Sequence, residues 1–113
     1  MPIKIFYLDD EEKLCELFAE YFSSELVQIT TFVDANRAIE SSRSNPPDLF
    51  FIDYRLAGTT GDEVAQAIEQ SIPKVLVTGN EFFTPSYNFA QIISKPYDFS
   101  LIQGLIDACH KTV

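Results

Sequence analysis

The stretch Asp48-Leu49-Phe50-Phe51-Ile52-Asp53 decides the fold of this chain, because four apolar residues stand there between two aspartates. A short apolar run of this kind is typical of a strand in a parallel sheet that is covered on both faces. Residues 54–61, which follow it, have strong turn character. Asp53 is therefore predicted at the rim of the sheet, at the carboxyl end of a strand, where open α/β sheets bind their ligands.

Strands and helices are predicted to alternate on both sides of this stretch. Short apolar and β-branched runs predict five strands, at residues 3–8, 27–32, 48–52, 74–78 and 90–94. Asp34 and Asp98 are the expected N-caps of the second and the last helix. The alternation predicts an α/β fold in which helices cover both faces of a five-stranded parallel sheet.

The first helix is predicted from apolar residues that recur at intervals of three and four after the acidic run that begins at Asp9. The residues of this apolar face are Leu14, Leu17, Phe18, Tyr21 and Phe22. The acidic run suits the positive end of a helix dipole, which is the plainest interpretation of those charges.

Composition restricts the class of protein. With 113 residues, of which 46% are apolar and 13% aromatic, the chain is expected to form one globular domain with a real core. The net charge of −9 argues against direct binding to nucleic acid, which needs a basic surface. No apolar run approaches about 18 residues and the N-terminus lacks a basic leader, so neither a membrane span nor a signal peptide is predicted.

The two cysteines favour a reducing compartment. Cys15 and Cys109 fall in helix-like stretches without the CxxC spacing of redox and metal sites. Although the two helices may share one sheet face, we expect buried, reduced thiols and a cytoplasmic protein.

Polar residues stand at the ends of four predicted strands: Asp9 and Asp10, Asp53, Thr78 and Lys95. If the sheet is parallel, these five side chains gather at one edge. Three carboxylates in one place repel one another, and a hard cation such as Mg²⁺, which prefers carboxylate, carbonyl and water oxygens, relieves that repulsion. With an ammonium and a hydroxyl nearby, the pocket suits a phosphoryl group that a carboxylate oxygen attacks in line.

The set Asp9-Asp10, Asp53, Thr78-Gly79 and Lys95-Pro96 resembles the receiver domain of two-component response regulators, over essentially residues 3–111. The interval from Asp53 to Gly61 is also that of the family. The resemblance implies a single receiver domain at residues 1–113, with the doubly wound, flavodoxin-like fold and strand order 2-1-3-4-5. It implies a signalling switch that acts by protein–protein contact, and no enzyme activity beyond its own phosphorylation and dephosphorylation.

The resemblance also implies roles for the acidic residues. Asp53 would accept a phosphoryl group from a histidine kinase or a histidine phosphotransfer protein. Mg²⁺ would be held by Asp10 directly, by Asp9 mainly through water, by Asp53 and by the backbone carbonyl of Arg55.

Two further residues receive roles in the same way. Thr78 would hydrogen-bond the phosphoryl group and move toward it on activation, and Lys95 would pair with a phosphoryl oxygen. The Lys95-Pro96 peptide bond is expected to be cis, an uncommon state even before proline. The plainer interpretations are a strand end at Thr78, which suits a β-branched residue, and a simple turn at Lys95-Pro96.

The chain departs from the family between the fourth and fifth strands. Residues 80–89 are too few for a full helix and its two loops, so helix four is predicted to be shortened or missing. The aromatic residues there either cover the sheet in its place or form an exposed patch for a partner; they are Phe82, Phe83, Tyr87 and Phe89. Ile92 stands where the family usually has an aromatic residue that moves with the threonine, which leaves open whether phosphorylation switches the conformation.

Two other functions stay open as alternatives. One is an interaction module on a receiver scaffold that works without phosphorylation. The other is a Mg²⁺-dependent phosphohydrolase with an aspartate nucleophile, but such enzymes typically carry a second acid two residues beyond the nucleophile, where this chain has Arg55. The sequence does not identify the cognate kinase, the downstream partner or the oligomeric state.

Overall fold

The computed structural model describes residues 2–79, 85–96 and 98–112, and their side chains as far as residue 109. Along the chain the elements are β1 (Ile3–Leu8), α1 (Glu12–Phe22), β2 (Val27–Phe32), α2 (Ala35–Ser44), β3 (Leu49–Asp53), β4 (Arg55–Leu56), β5 (Thr59–Thr60), α3 (Gly61–Ala67), β6 (Lys74–Thr78), β7 (Gln91–Ser94) and α4 (Phe99–Thr112). The predicted N-caps are present, since Asp34 accepts from the N–H of Asn36 and Asp98 accepts from that of Leu101.

The five longer strands form one parallel sheet in the order β2-β1-β3-β6-β7. Counted without the two short strands, this is the predicted order 2-1-3-4-5 of the flavodoxin-like fold. Asp53 pairs with Val77 and Thr78 with Ser94, so the carboxyl ends of β3, β6 and β7 adjoin. The short strands β4 and β5, which the sequence did not predict, form an antiparallel hairpin that turns at Gly58 with a φ of 77°.

Helices cover both faces of the sheet. Phe51 and Tyr7 belong to the core under α1 and α4, together with Phe18, whereas Phe50 and Phe6 belong to the core under α2 and α3. Successive residues of a strand point to opposite faces, and both faces of β3 are covered, which is why its apolar run shows no alternation. No helix in the described part of the chain has the length and apolar character needed to cross a membrane.

The buried stripe of α1 differs from the predicted one. Cys15, Phe18 and Phe22 are buried, whereas Leu17 is 43% and Tyr21 is 55% exposed. Positions 15, 18 and 22 recur at three and four residues and face the sheet, while positions 17 and 21 lie beside that stripe. The assignment of Leu17 and Tyr21 to the buried face was therefore wrong, although the helix itself was predicted.

Both cysteines are free thiols, as predicted. Burial, and then the negative charge of Asp9, raise the pKa of the Cys15 thiol to about 11. Cys109 is only partly buried against the same core, and burial followed by the charge of Asp48 raises its pKa as well. Since the thiolate is the reactive form, neither thiol is activated.

The described part of the connection between β6 and β7 contains no helix. Residues 85–90 form bends and irregular chain, in agreement with the predicted loss or shortening of helix four. Residues 80–84, with Phe82 and Phe83, lie outside the described residues. Tyr87 and Phe89 are partly buried against the core under α2 and α3, with ring centroids 5.0 Å apart. These two rings therefore cover the sheet, which is the first of the two predicted interpretations.

Two buried polar side chains hold this segment in place. The Nζ of Lys74 donates to two backbone carbonyl oxygens of the α3–β6 connection, at 2.9 Å each, and to the hydroxyl of Tyr87 at 3.0 Å. Asp62, in the first turn of α3, accepts from both the N–H and the hydroxyl of Ser86. A lysine that is 2% exposed needs partners for all three of its donors, and these contacts supply them.

Replacing Tyr87 by Phe is expected to lower the free energy of unfolding by about 1–2 kcal/mol, because the buried ammonium of Lys74 loses one acceptor. The matched control is Tyr21→Phe on an exposed ring, which should change stability by less than about 0.5 kcal/mol. Urea denaturation of both variants measures the difference. Equal stabilities would show that the Tyr87 hydroxyl does not anchor the segment.

Gly61 stands where the fold has no room for a side chain. A Cβ at this position would lie 2.8 Å from the carbonyl oxygen of Asp53 and 2.9 Å from Cδ1 of Leu76. The N–H of Gly61 donates to the carbonyl of Tyr54 at 2.8 Å, which closes the loop after β3. The start of α3 therefore packs directly against the backbone that carries Asp53.

Gly61→Ala is expected to destabilise the fold by about 1–3 kcal/mol, because a Cβ must displace the backbone of Asp53 or the side chain of Leu76. Gly104→Ala is the matched control: a Cβ there meets nothing within 4 Å, and removing a glycine from the interior of α4 should stabilise by about 0.5–1 kcal/mol. Thermal denaturation tests the opposite signs. A Gly61→Ala protein as stable as the original would rule out the steric argument.

Candidate functional site

Three carboxylates meet at the edge of the sheet where β1 and β3 end. Asp9 and Asp10 follow β1, and Asp53 is the last residue of β3. Oxygen atoms of the three carboxylates lie within 4.8 Å of one another. Asp9 and Asp53 are buried, with exposed fractions of 0% and 5%, while Asp10 is exposed. They meet because β1 and β3 are parallel neighbours in which Leu8 pairs with Ile52.

One ammonium group lies between the two buried carboxylates. The Nζ of Lys95 is 3.3 Å from Oδ2 of Asp9 and 3.1 Å from Oδ1 of Asp53. Lys95 follows β7, so its side chain reaches across the end of β6 to arrive there. Its backbone N–H donates to the carbonyl of Thr78 at 2.8 Å, and the peptide bond from Lys95 to Pro96 is cis, as expected.

Two further groups besides Lys95 donate hydrogen bonds to the carboxylate of Asp9. Its Oδ2 accepts a hydrogen bond from the hydroxyl of Tyr7 at 2.9 Å, and its Oδ1 accepts from the N–H of Glu11 at 3.0 Å. The thiol of Cys15 donates to the backbone carbonyl of Asp9 at 3.2 Å. Tyr7 was not among the predicted site residues. The available signal was the alternation of a strand, which puts residues 7 and 9 on the same face.

The proton affinities of the site follow from burial and from these contacts. Burial, and then the negative charge of Asp9, raise the pKa of Asp53 to about 6, even though Lys95 acts in the opposite direction. Burial disfavours the charged form of Lys95, but the charges of Asp53 and Asp9 outweigh it, and the pKa of the ammonium is raised. Lys95 therefore stays protonated, while burial and the charge of Asp9 make the ionised form of Asp53 less favourable.

A cleft of 430 Å³ opens in front of these groups. Its lining residues are Asp10, Glu11, Asp53, Arg55, Thr78, Gly79 and Lys95. Of the predicted site residues, Asp9 alone is not part of the lining, because it is buried behind it. Arg55 is exposed on β4, and Thr78 is buried at the end of β6. The lining of the cleft thus combines carboxylates with the ammonium of Lys95, the guanidinium of Arg55 and the hydroxyl of Thr78.

The donor set fits a hard divalent cation. Asp9, Asp10 and Asp53 bring three carboxylates together, and Lys95 is the cation paired with two of them. Oxygen donors with excess negative charge are what Mg²⁺ prefers in proteins. Burial and then the charge of Asp9 raise the pKa of Asp53, and a cation beside the carboxylates would oppose both effects.

The order of these residues along the chain matches a known protein family. The sequence matches the family model for the response regulator receiver domain over residues 5–107. It is 31% identical over 77 residues to the transcriptional regulatory protein BaeR of Escherichia coli, covering 66% of this chain and 32% of that protein. It is 29% identical over 83 residues to the regulatory protein VanR of Enterococcus faecium, covering 72% of this chain and 36% of that protein. The chain therefore belongs to the response regulator receiver domain family, and it spans about a third of the length of these two relatives.

Solved structures share the fold. A CheY-like response regulator receiver domain from Methylobacillus flagellatus has a TM-score of 0.83 at 18% identity, over 96% of this chain and 99% of that chain. The response regulator protein TrrA from Thermotoga maritima, solved in complex with Mg²⁺ and BeF, has a TM-score of 0.84 at 23% identity, over 95% and 98% of the two chains. At these identities the likeness establishes the flavodoxin-like receiver fold.

Asp53→Asn is expected to stabilise the folded chain by about 1–3 kcal/mol at pH 8 in EDTA. The pKa of Asp53 is about 6 in the folded state, above its unfolded value, so the original protein loses stability as the pH rises from about 4 to about 7. A neutral amide avoids that loss, and the gain should therefore vanish near pH 4.

Urea denaturation at several pH values measures this difference. Asp107→Asn, on the exposed side of α4, is the control and should show no such pH dependence. An Asp53→Asn protein no more stable than the original at pH 8 would contradict the raised pKa.

Proposed function

We propose that residues 1–113 form a phosphoaccepting receiver domain that takes a phosphoryl group onto Asp53 from a histidine kinase or a histidine phosphotransfer protein. In this proposal it signals by protein–protein contact. The observation that carries it is the ammonium of Lys95, within 3.3 Å of Asp9 and 3.1 Å of Asp53 at the back of an acidic cleft. Membership of the receiver family supports it.

Asp53 is the best placed of the three carboxylates to act as the nucleophile. Both oxygens of Asp9 accept hydrogen bonds from the protein, and its side chain is fully buried behind the cleft. Asp10 is exposed, so water screens its charge and competes for its oxygens. Asp53 lines the cleft, is 5% exposed and faces Lys95 through Oδ1.

The proposed transfer is a single in-line displacement. An oxygen of Asp53 forms a bond to phosphorus while the bond from phosphorus to the donor imidazole nitrogen breaks, and the electron pair of that bond stays on the nitrogen. From a donor protonated at its other ring nitrogen, the leaving group is neutral imidazole. Lys95 neutralises a phosphoryl oxygen, and the hydroxyl of Thr78 donates a hydrogen bond to another.

Asp9, Asp10, Asp53 and the backbone carbonyl of Arg55 are the proposed ligands of Mg²⁺. When bound, the ion lowers the repulsion between the carboxylates and the incoming phosphoryl oxygens. The complex of TrrA with Mg²⁺ and BeF, a protein of the same fold, supports this choice of metal. In this proposal Asp9 binds the ion mainly through water, from its buried position behind the other two carboxylates.

Incubation with Mg²⁺ and acetyl phosphate, followed by intact mass measurement, tests the proposal. The expected result is a gain of one phosphoryl group that is lost with EDTA and in Asp53→Asn. The matched control Asp107→Asn, with the same chemical change at an exposed position, should keep the gain. No gain in the original protein would overturn the proposal and favour an interaction module that works without phosphorylation.

A further inference from the structure

The hydroxyl of Tyr7 is a polar group in the apolar core between the sheet and α1. Tyr7 is 0% exposed, and its ring stacks on Phe18 with centroids 4.2 Å apart and planes at 14°. Its hydroxyl donates to Oδ2 of Asp9 at 2.9 Å. Because the stack fixes the ring, the hydroxyl is presented to Asp9 at a fixed position behind the cleft.

Oδ2 of Asp9 is shared between two donors. Tyr7 approaches it from the core at 2.9 Å, and Lys95 approaches it from the cleft at 3.3 Å. The other oxygen of Asp9 accepts from the N–H of Glu11 at 3.0 Å. Tyr7 and Glu11 together therefore give each oxygen of this buried carboxylate one partner that does not depend on Lys95.

We propose that Tyr7 is a positioning residue that keeps Asp9 in place and hydrogen-bonded when Lys95 turns from the carboxylates to a phosphoryl oxygen. The inference rests on the proposed function, in which Lys95 binds the phosphoryl group. Tyr7 lies behind Asp9 and is not part of the cleft lining, so it acts through Asp9 and does not touch the substrate.

The physical reason is the cost of a buried acceptor without a donor. If Tyr7 lacked its hydroxyl, Lys95 would be the one protein donor to Oδ2 of Asp9 within the described part of the chain, and the departure of the ammonium would leave this fully buried oxygen without a hydrogen bond from the protein. Lys95 would then be retained at Asp9 and less available to the phosphoryl group. The hydroxyl of Tyr7 thus weakens the competition between Asp9 and the phosphoryl group for the ammonium of Lys95.

Tyr7→Phe tests this role, because it removes the hydroxyl and leaves the ring stacked on Phe18. Beryllofluoride mimics a phosphoryl group, so its binding at saturating Mg²⁺ depends on Lys95. Calorimetric titrations with Mg²⁺ alone and with beryllofluoride at saturating Mg²⁺ therefore separate the contribution of Lys95 from that of the carboxylates. We expect beryllofluoride to bind about five- to tenfold more weakly, while the Mg²⁺ affinity changes by less than about twofold. Tyr21→Phe, the same change on an exposed ring, should match the original protein in both titrations.

A second readout uses the original protein labelled with ¹³C at the tyrosine Cζ atoms. The resonance of Tyr7 should shift when beryllofluoride is added to the Mg²⁺ complex, because its acceptor loses the second donor, while that of Tyr21 stays in place. A merely structural role for Tyr7 would weaken both titrations together and leave this resonance unmoved. If Tyr7→Phe does not fold, this resonance decides the question.

The outcomes separate the two proposals. If the original protein binds beryllofluoride and Tyr7→Phe binds it equally well, or the Tyr7 resonance does not respond, the role of Tyr7 is overturned and the proposed function stands. If the original protein neither binds beryllofluoride nor gains a phosphoryl group, both are overturned.

Discussion

The ammonium of Lys95 between the carboxylates of Asp9 and Asp53 is the interaction on which the site depends. Two ionised carboxylates are costly to bury at one edge of a sheet unless a cation is held between them. The three residues come from β1, β3 and β7, and the last of these strands is separated from the second by β6. The parallel sheet in this strand order delivers all three to one edge, so the charge cluster depends on the fold.

The cluster holds more negative charge than the ammonium of Lys95 compensates. Lys95 compensates one of two buried carboxylates, and Asp10 adds a third negative charge at the surface. Burial, and then the negative charge of Asp9, raise the pKa of Asp53. An unbalanced carboxylate favours the binding of a cation, together with an anion that the cation and Lys95 can both contact.

Much of this arrangement was predictable because it follows from local patterns and chain order. A buried strand ending in Asp53, and polar residues at the ends of three other strands, are visible in the sequence, and parallel strands bring such ends together. Partners that are distant in sequence were not predictable in the same way. Lys74 stands in an apolar strand pattern, and nothing near it indicates that Tyr87 will accept its hydrogen bond. The exposure of Leu17 likewise depends on which flank of α1 the neighbouring elements cover.

The burial of Tyr7 shows a third case, in which the local signal existed but had a more common meaning. A tyrosine in a strand usually contributes its ring to the core, and here the ring does so by stacking on Phe18. Its second role appears only when the neighbouring carboxylate is known to be buried, because an exposed Asp9 would take its hydrogen bonds from water.

The contacts of the first turn of α3 have a mechanical consequence. Gly61 rests against the backbone carbonyl of Asp53, and the next residue, Asp62, holds the N–H and the hydroxyl of Ser86. This turn thus contacts the strand that carries Asp53 through one residue and the chain leading to β7 through the next. Any shift of the turn must move Ser86 as well or break both hydrogen bonds. Backbone packing at Gly61 and the buried carboxylate of Asp62 thus connect the end of β3 to the segment before β7. This connection includes neither Thr78 nor Ile92.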